Sequence, residues 1–330
     1  MLGRRTFFAM GGVLLLLSRN PRAQGGVTAR RIGILSAFSR ASVEAFLSQL
    51  RPELEKLGWT DARNIVVLEP RTADGRNELL PSMASELVSQ GLDLILAGSL
   101  PATRALMQAT RSIPIVMVAV GNPVENGIVA DLSKPGGNVT GSTFFADESC
   151  RKLLQFLKEA APRLRSVALF VNPGNPAAVP LMKQMRTDTV ALGMQTQVVE
   201  VSGSNDFEAA FAAIRSANTQ SILLPPEALI RANIGAIAGF AQTHGLPLVA
   251  VGTSRNSLPA SVLMAFGPTS LQYAQITARY VDRILKGAKP SDLPIEQPTQ
   301  FELVISLKTA KALGLTIPQT LLQRADEVIQ

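Results

Sequence analysis

Residues 113–121 read IPIVMVAVG, and residues 246–252 read LPLVAVG. Each stretch has a proline at its second position, continues as an apolar run and ends at a glycine. This pattern is typical of a buried strand followed by a turn, as in a parallel sheet that helices cover on both faces. Its occurrence in both halves of the chain favours two similar α/β units.

Short β-rich runs alternate with helical patterns around these two stretches, and this rhythm predicts parallel sheets with right-handed crossovers. The first unit is predicted to have strands at 31–35, 64–69, 93–97, 115–118 and 138–140, with helices at 42–57, 78–90 and 102–109. After a helix at 148–160, the second is predicted to have strands at 166–171, 197–201, 221–224, 248–251 and 261–265, with helices at 178–192, 207–217 and 232–243.

A third section remains after the two units. It is predicted to contain a helix at 269–286, a proline-rich extended connector at 289–298, a strand at 301–305 and a helix at 307–313. Such a remainder is unexpected for two independent domains. It indicates that the chain crosses back, so that each lobe is discontinuous.

The first 23 residues have the pattern of an export signal. Arg4 and Arg5 precede an apolar run of about 11 residues, too short to span the ~30 Å hydrocarbon core of a membrane. The alternative is a buried N-terminal helix, and residues 3–8 also resemble a twin-arginine signal. We expect residues 1–26 to be a cleavable signal peptide with a short lead, cut near Ala23, and the protein to be periplasmic. Because Cys150 lies far from the cleavage region, no lipid anchor is expected.

Composition argues against several function classes. The net charge of +7 falls to about +3 once the signal's four arginines leave, and no Lys/Arg run exceeds two residues, so nucleic acid is not an expected partner. His244 and Cys150 are the only residues of their types, which excludes a His/Cys zinc site and disfavours a Ser-His-Asp triad. Phosphate-binding glycine loops are missing. We expect no catalytic residues, metal or cofactor.

Ligands of open α/β sheets bind at the carboxyl ends of the strands, where this chain has small or polar loops. The predicted ligand-binding residues are Ser36, Ala37, Phe38, Gly98, Ser99, Ala102, Thr103, Gly121, Asn122, Pro123, Asn172, Asn175, Glu227, Thr253 and Arg255.

The helix start at Ser99–Thr103, Glu227 and Arg255 each carry a specific chemical expectation. The free amides of Ala102 and Thr103, with the hydroxyls of Ser99 and Thr103, are expected to hold a carboxylate at a helix N-terminus, unless Ser99 only caps that helix. Glu227 either pairs with a ligand ammonium or is a solvated loop acid. Arg255 either pairs with a carboxylate or is a surface charge.

Several motifs resemble the solute-binding proteins of ABC transporters, in the family typified by the tryptophan-type binding component. The most specific are LSKPGGNVTG at 132–141, YVDRILKGAKP at 280–290, LPIEQPT at 293–299 and LGLTIP at 313–318; shorter matches are LGW at 57–59, RNI at 63–65, ASELV at 84–88, IPIV at 113–116 and GNPV at 121–124. The resemblance covers nearly the whole chain after the signal. One departure is Asn122, where the family often has aspartate, and residues 252–260 look individual to this chain.

The resemblance implies the type I periplasmic binding protein fold, with two Rossmann-like α/β lobes joined by a three-segment hinge. The N-terminal lobe would comprise residues 27–141 and 268–299, and the C-terminal lobe residues 142–267 and 300–330. The expected hinge residues are Gly141, Ser142, Phe266 and Gly267. A small-molecule solute would bind between the lobes of a monomer, and the closed form would dock on an ABC permease in the inner membrane.

An amino acid or related small carboxylate is the expected solute, with its carboxylate at the Ser99–Thr103 corner and its ammonium at Glu227. Two alternatives stay open at this point. Two Rossmann-like lobes also build enzymes such as glycosyltransferases, and a binding protein can serve a membrane sensor instead of a permease. A DNA-binding regulator would need a helix-turn-helix where the signal lies.

Overall fold

Six parallel strands form the first of two sheets in the computed structural model, which describes residues 29–252 and 259–330. The strand order is β2-β1-β4-β5-β6, and the short β3 pairs with β1. The elements are β1 (Arg30–Ser36), α1 (Arg40–Lys56), β2 (Ile65–Val67), β3 (Arg71–Thr72), α2 (Leu80–Val88), β4 (Leu94–Gly98), α3 (Leu100–Ala109), β5 (Ile115–Gly121) and β6 (Val139–Phe144).

The second sheet has seven strands in the order β13-β12-β11-β10-β9-β7-β8. Its chain segment contains α4 (Ala146–Ala160), β7 (Ser166–Val171), α5 (Ala178–Ala191), β8 (Gln195–Glu200), α6 (Phe207–Ser216), β9 (Ile222–Leu224), α7 (Ala228–Ala232), α8 (Ile234–Thr243), β10 (Leu248–Val251) and β11 (Met264–Pro268). The remaining elements are α9 (Ser270–Leu285), β12 (Phe301–Ser306), α10 (Leu307–Ala312), α11 (Gln319–Leu322) and β13 (Glu327–Ile329).

The two apolar stretches with the shared pattern become β5 and β10, which lie inside their sheets with neighbours on both sides. Their first residues, Ile115 and Leu248, are fully buried, as expected for strands covered on both faces. The glycines that end the two patterns, Gly121 and Gly252, reach the same region of the molecule from opposite sheets. The repeated pattern therefore marks a corresponding interior strand in each of the two sheets.

One expectation about the second unit is wrong. The strand predicted at 261–265 is observed at Met264–Pro268, because residues 259–262 form a turn in which the Val262 amide donates to the Pro259 carbonyl. The strands of the second unit pair in parallel, as predicted, and β12 from the third section joins them antiparallel to β11. Pro268, at the end of β11, pairs with Phe301, at the start of β12. The chain therefore leaves and re-enters this sheet at the same end of its strands.

The third section of the chain divides between the two cores. Helix α9 packs against the first sheet, where Tyr280 and Val281 share a buried cluster with Ile32 and Leu47. Leu303, in β12, belongs instead to a cluster of the second sheet. The third section therefore contributes to both cores.

Two of the segments that pass between the sheets run side by side. The Glu296 amide donates to the Gly141 carbonyl at 3.0 Å, and the Thr143 amide donates to the Glu296 carbonyl at 2.9 Å. Gly141 has φ +128°, and a Cβ there would lie 2.1 Å from the Met117 carbonyl oxygen. Only glycine fits this position, since both its conformation and its contact with β5 exclude a side chain.

Candidate functional site

A cavity of about 510 Å³ lies between the carboxyl ends of the two sheets. Its walls include Phe38, Ser99 and Asn122 from the first sheet and Asn172 and Glu227 from the second. The volume is within the range of small-molecule pockets, ~300–1,000 Å³. In residues 29–252 and 259–330, no cluster of His, Cys, Asp and Glu is arranged to hold a metal ion, and no helix has the length and apolarity to cross a membrane.

The loops after β1 and β4 are held together by one buried hydroxyl. Ser36 Oγ donates to the Gly98 carbonyl at 3.0 Å and accepts from the Phe38 amide at 3.1 Å. A Cβ on Gly98 would lie 2.7 Å from that hydroxyl. Ser36 and Gly98 therefore lie outside the cavity wall and act by positioning Ala37, Phe38 and Ser99, which line it.

The amides at the start of α3, which were expected to bind a carboxylate, already have hydrogen-bond partners in the protein. Ser99 lines the cavity, but its Oγ accepts from the Ala102 amide at 3.1 Å. The Thr103 amide and hydroxyl both donate to the Ser99 carbonyl, at 3.0 and 2.8 Å. Ala102 and Thr103 are fully buried and do not reach the cavity. The expectation of free amides is wrong, because the serine cap and the helix use them.

The loop after β5 brings Gly121 and Asn122 to the cavity, whereas Pro123 stays behind the wall. Asn122 has φ +41°, and its Nδ2 donates to Glu125 at 3.1 Å. Its Oδ1 is buried without a hydrogen-bond partner in the protein. In the same region, the Ala119 amide donates to Ser142 Oγ at 3.0 Å, which links the cavity rim to a predicted hinge residue.

On the opposite wall, Asn172 and Glu227 form a buried pair. Asn172 Nδ2 donates to Glu227 Oε1 at 3.2 Å, and the Ile230 amide donates to Glu227 Oε2 at 3.0 Å, which caps α7. Burial raises the pKa of Glu227, while these hydrogen bonds oppose the rise. Glu227 is only 6% exposed, so the interpretation as a solvated loop acid is wrong. Asn175 also lines the cavity.

Among the polar cavity residues that were not predicted, four share one feature: Asn77, Asp147, Arg231 and Tyr273. Each has a buried side-chain atom without a hydrogen-bond partner in the protein: both amide atoms of Asn77, Asp147 Oδ1, Arg231 Nη1 and Tyr273 Oη. Burial also raises the pKa of Tyr273. Unsatisfied buried polar atoms that face a cavity are a mark of a binding site.

Sequence offered little signal for these four residues. Asp147 and Tyr273 stand just after chain crossings, a position that marks cavity residues once the crossings are known. Arg231 belongs to α7, a helix of five residues that is too short to show a period. Asn77 lies in a 3-10 turn before α2.

The other predicted positions have separate outcomes. Thr253 and Arg255 lie outside the described residues. Phe266 faces away from the cavity and packs against Phe156 and Phe301, with ring centroids 5.5 and 5.6 Å apart. Gly267 lies against Gly252, whose amide would be 3.0 Å from a Cβ at Gly267.

The model of the family described as ABC transporter substrate binding protein matches residues 31–329. The chain belongs to this family of ABC transporter substrate-binding proteins. Its members bind a solute for an ABC permease, and the family is not one of enzymes. A tyrosine-binding protein of Clostridioides difficile is 26% identical over 291 residues, which cover 87% of this chain and 81% of that protein.

Two solved structures share the fold of this chain. A conserved domain protein of Vibrio cholerae is 26% identical with a TM-score of 0.83, over 91% of this chain and 99% of that one. An ABC domain from Streptococcus pneumonia in complex with L-Trp has 22% identity and a TM-score of 0.83, over 92% and 100% of the two chains. The predicted type I periplasmic binding protein fold is thereby confirmed for this substrate-binding protein.

Proposed function

We propose that this substrate-binding protein carries an amino acid or related small carboxylate in the cavity between its sheets and delivers it to an ABC permease. The cavity carries this proposal, because its walls come from both sheets. A solute that contacts both walls binds more tightly to the closed arrangement than to the open one. This difference in affinity couples solute binding to lobe closure.

The chemistry of the walls supports a zwitterionic solute with an apolar part. Phe38, Phe144 and Tyr273 provide aromatic surface, while Arg231 and the acids Asp147 and Glu227 provide both charge signs. The tyrosine-binding relative and the L-Trp complex belong to the same class of ligand. Glu227 remains our choice for the ammonium, since its carboxylate is the buried acid on this wall of the cavity, beside Asn172.

The lobes we propose are residues 27–141 with 268–299 and residues 142–267 with 300–330. The packing of α9 on the first sheet and of β12 in the second supports this division. The hinge would include Gly141 and Ser142, which lie beside Glu296, and Gly267, which precedes the third crossing. Glycine and short polar residues there can absorb the dihedral changes of closure.

Cellular placement follows from the proposed signal peptide, 1–26, which would direct the chain to the periplasm by the general or the twin-arginine route. There it would act as a monomer without a lipid anchor, cofactor or catalytic activity. Pulse labelling in cells with and without a functional twin-arginine translocase tests the route.

A ligand screen tests the proposed function. The chain from residue 27 is titrated by calorimetry and thermal shift with the twenty L-amino acids, and with UDP-sugars and simple sugars as the contrasting arm. At 100 times Kd, a ligand adds about 2.7 kcal/mol to stability, so a binding amino acid gives a clear shift. A shift with UDP-sugars alone, accompanied by their turnover, would contradict the proposal and favour an enzyme.

A further inference from the structure

We propose that Arg231 is the carboxylate anchor of this cavity, in place of the N-terminus of α3. This inference rests on the proposed function and specifies which group of the solute is recognised, and from which lobe. It starts from the contacts of the guanidinium.

Arg231 is held at one nitrogen and unsatisfied at another. Its Nη2 donates to the Val251 carbonyl at the end of β10, at 3.3 Å. Its Nη1 is buried and has no hydrogen-bond partner in the protein. Within the described residues, no carboxylate lies within ion-pair distance, although Glu227 stands four positions earlier in the same segment. Burial alone lowers the pKa of the guanidinium.

Arg231 is a partly buried residue whose Nη1 is fully buried, and desolvating a guanidinium without an acidic partner is unfavourable. The nearby acid does not compensate for it, because the Glu227 oxygens accept from Asn172 and Ile230 instead. Arg231 lines the cavity, so an anion bound beside it would supply the charge partner that the protein does not. Its planar fork matches a carboxylate in two-point contact.

The backbone opposite the guanidinium leaves room for it. Gly252 has φ +115°, and a Cβ there would lie 2.8 Å from Arg231 Nη2. A side chain at 252 would therefore push the guanidinium away from the Val251 carbonyl. Gly252 ends the LPLVAVG stretch, so the glycine of that pattern has two roles: it allows the turn, and it allows the arginine to lie against the strand end.

The alternative anchor at α3 lacks the two amides that were expected to bind a carboxylate. The Ala102 and Thr103 amides both donate to Ser99, to its hydroxyl and its carbonyl, and Pro101 between them and the cap has no amide hydrogen. The strongest anion-binding group in the described part of the cavity is Arg231. Lys183 also lines the cavity, but its side chain is exposed to solvent, where its attraction for an anion is screened.

The test compares Arg231→Gln with Lys183→Gln, which removes the same charge from the same cavity without touching the guanidinium. Affinities are measured by calorimetry for the amino acid that shows the strongest binding in the screen and for its carboxamide. For Arg231→Gln we expect at least a 30-fold loss for the acid and little change for the amide, so that the preference for acid over amide disappears. Lys183→Gln should lose less than threefold for both.

Circular dichroism and a thermal melt of the ligand-free variants establish that they fold. The inference is overturned if Arg231→Gln binds the acid within threefold of wild type, or if it loses acid and amide equally. If no amino acid binds, the proposed ligand class fails, and the anchor is then tested with sodium benzoate against benzamide. A preference for benzoate that Arg231→Gln abolishes supports the anchor, and no preference in the wild type refutes it.

Discussion

Gly141→Ala should destabilise the first sheet strongly. Gly141 lies in β6 beside Met117 of β5, and the added Cβ would meet the Met117 carbonyl oxygen at 2.1 Å and its amide nitrogen at 2.7 Å. Both are backbone atoms of β5, which has strand neighbours on both sides, so neither can swing aside as a flexible side chain would. The φ of +128° adds strain that no side-chain-bearing residue avoids.

The magnitude follows from these two terms. A residue held in a sparsely populated backbone region costs about 1–3 kcal/mol. Overpacking at a close-packed site costs about another 1–3 kcal/mol. We therefore expect the free energy of unfolding of the first lobe to fall by about 2–6 kcal/mol. The Glu296 amide, which donates to the Gly141 carbonyl, would be displaced as well.

Trp59 provides the assay. It is the only tryptophan of the chain, it packs beside the core of the first sheet, and its Nε1 donates to Asp282 of α9 at 2.8 Å. Its fluorescence during urea unfolding thus reports on the lobe that carries the substitution. The midpoint should shift to lower urea, with a slope close to that of the wild type.

Gly137→Ala is the matched control. It lies four positions earlier on an exposed loop, and a Cβ there would meet nothing within 4 Å. Its unfolding free energy should remain within about 1 kcal/mol of wild type. An unfolding free energy for Gly141→Ala that is also within 1 kcal/mol of wild type would refute the reasoning, because β5 and β6 would then have to separate at no cost.

Two further outcomes follow from the second lobe. Because burial raises the pKa of Glu227 above its ordinary 4.5, the wild type should lose stability relative to Glu227→Gln as the pH rises above 4.5. A calorimetric difference that is independent of pH would contradict this. Phe211→Ala removes a ring stacked 4.4 Å from Phe240 and should cost the second lobe about 3–5 kcal/mol in calorimetry. The Trp59 transition should stay in place, and an equal shift of both transitions would show that the lobes unfold together.

Much of the fold was predictable because it depends on local patterns. The apolar run that became β5 is short, begins after a proline and ends at a glycine. These local features predict a buried strand regardless of the rest of the chain. Ser99 was predicted as a cap or an anchor, and the choice between them was not local. It depended on which acceptor the Ala102 amide has in the folded chain, and that acceptor is the Ser99 hydroxyl.

Local sequence patterns were therefore enough to establish the strand–helix rhythm, its repetition, and a third section beyond the two units. Tertiary structure alone decided the direction of β12, because that depends on where the chain re-enters the sheet after α9. It also decided that Arg231 lines the cavity while Ala102 and Thr103 do not. Periodicity reports which residues are buried, but a cavity forms between elements distant in sequence, and only their packing shows which polar atoms remain without a partner.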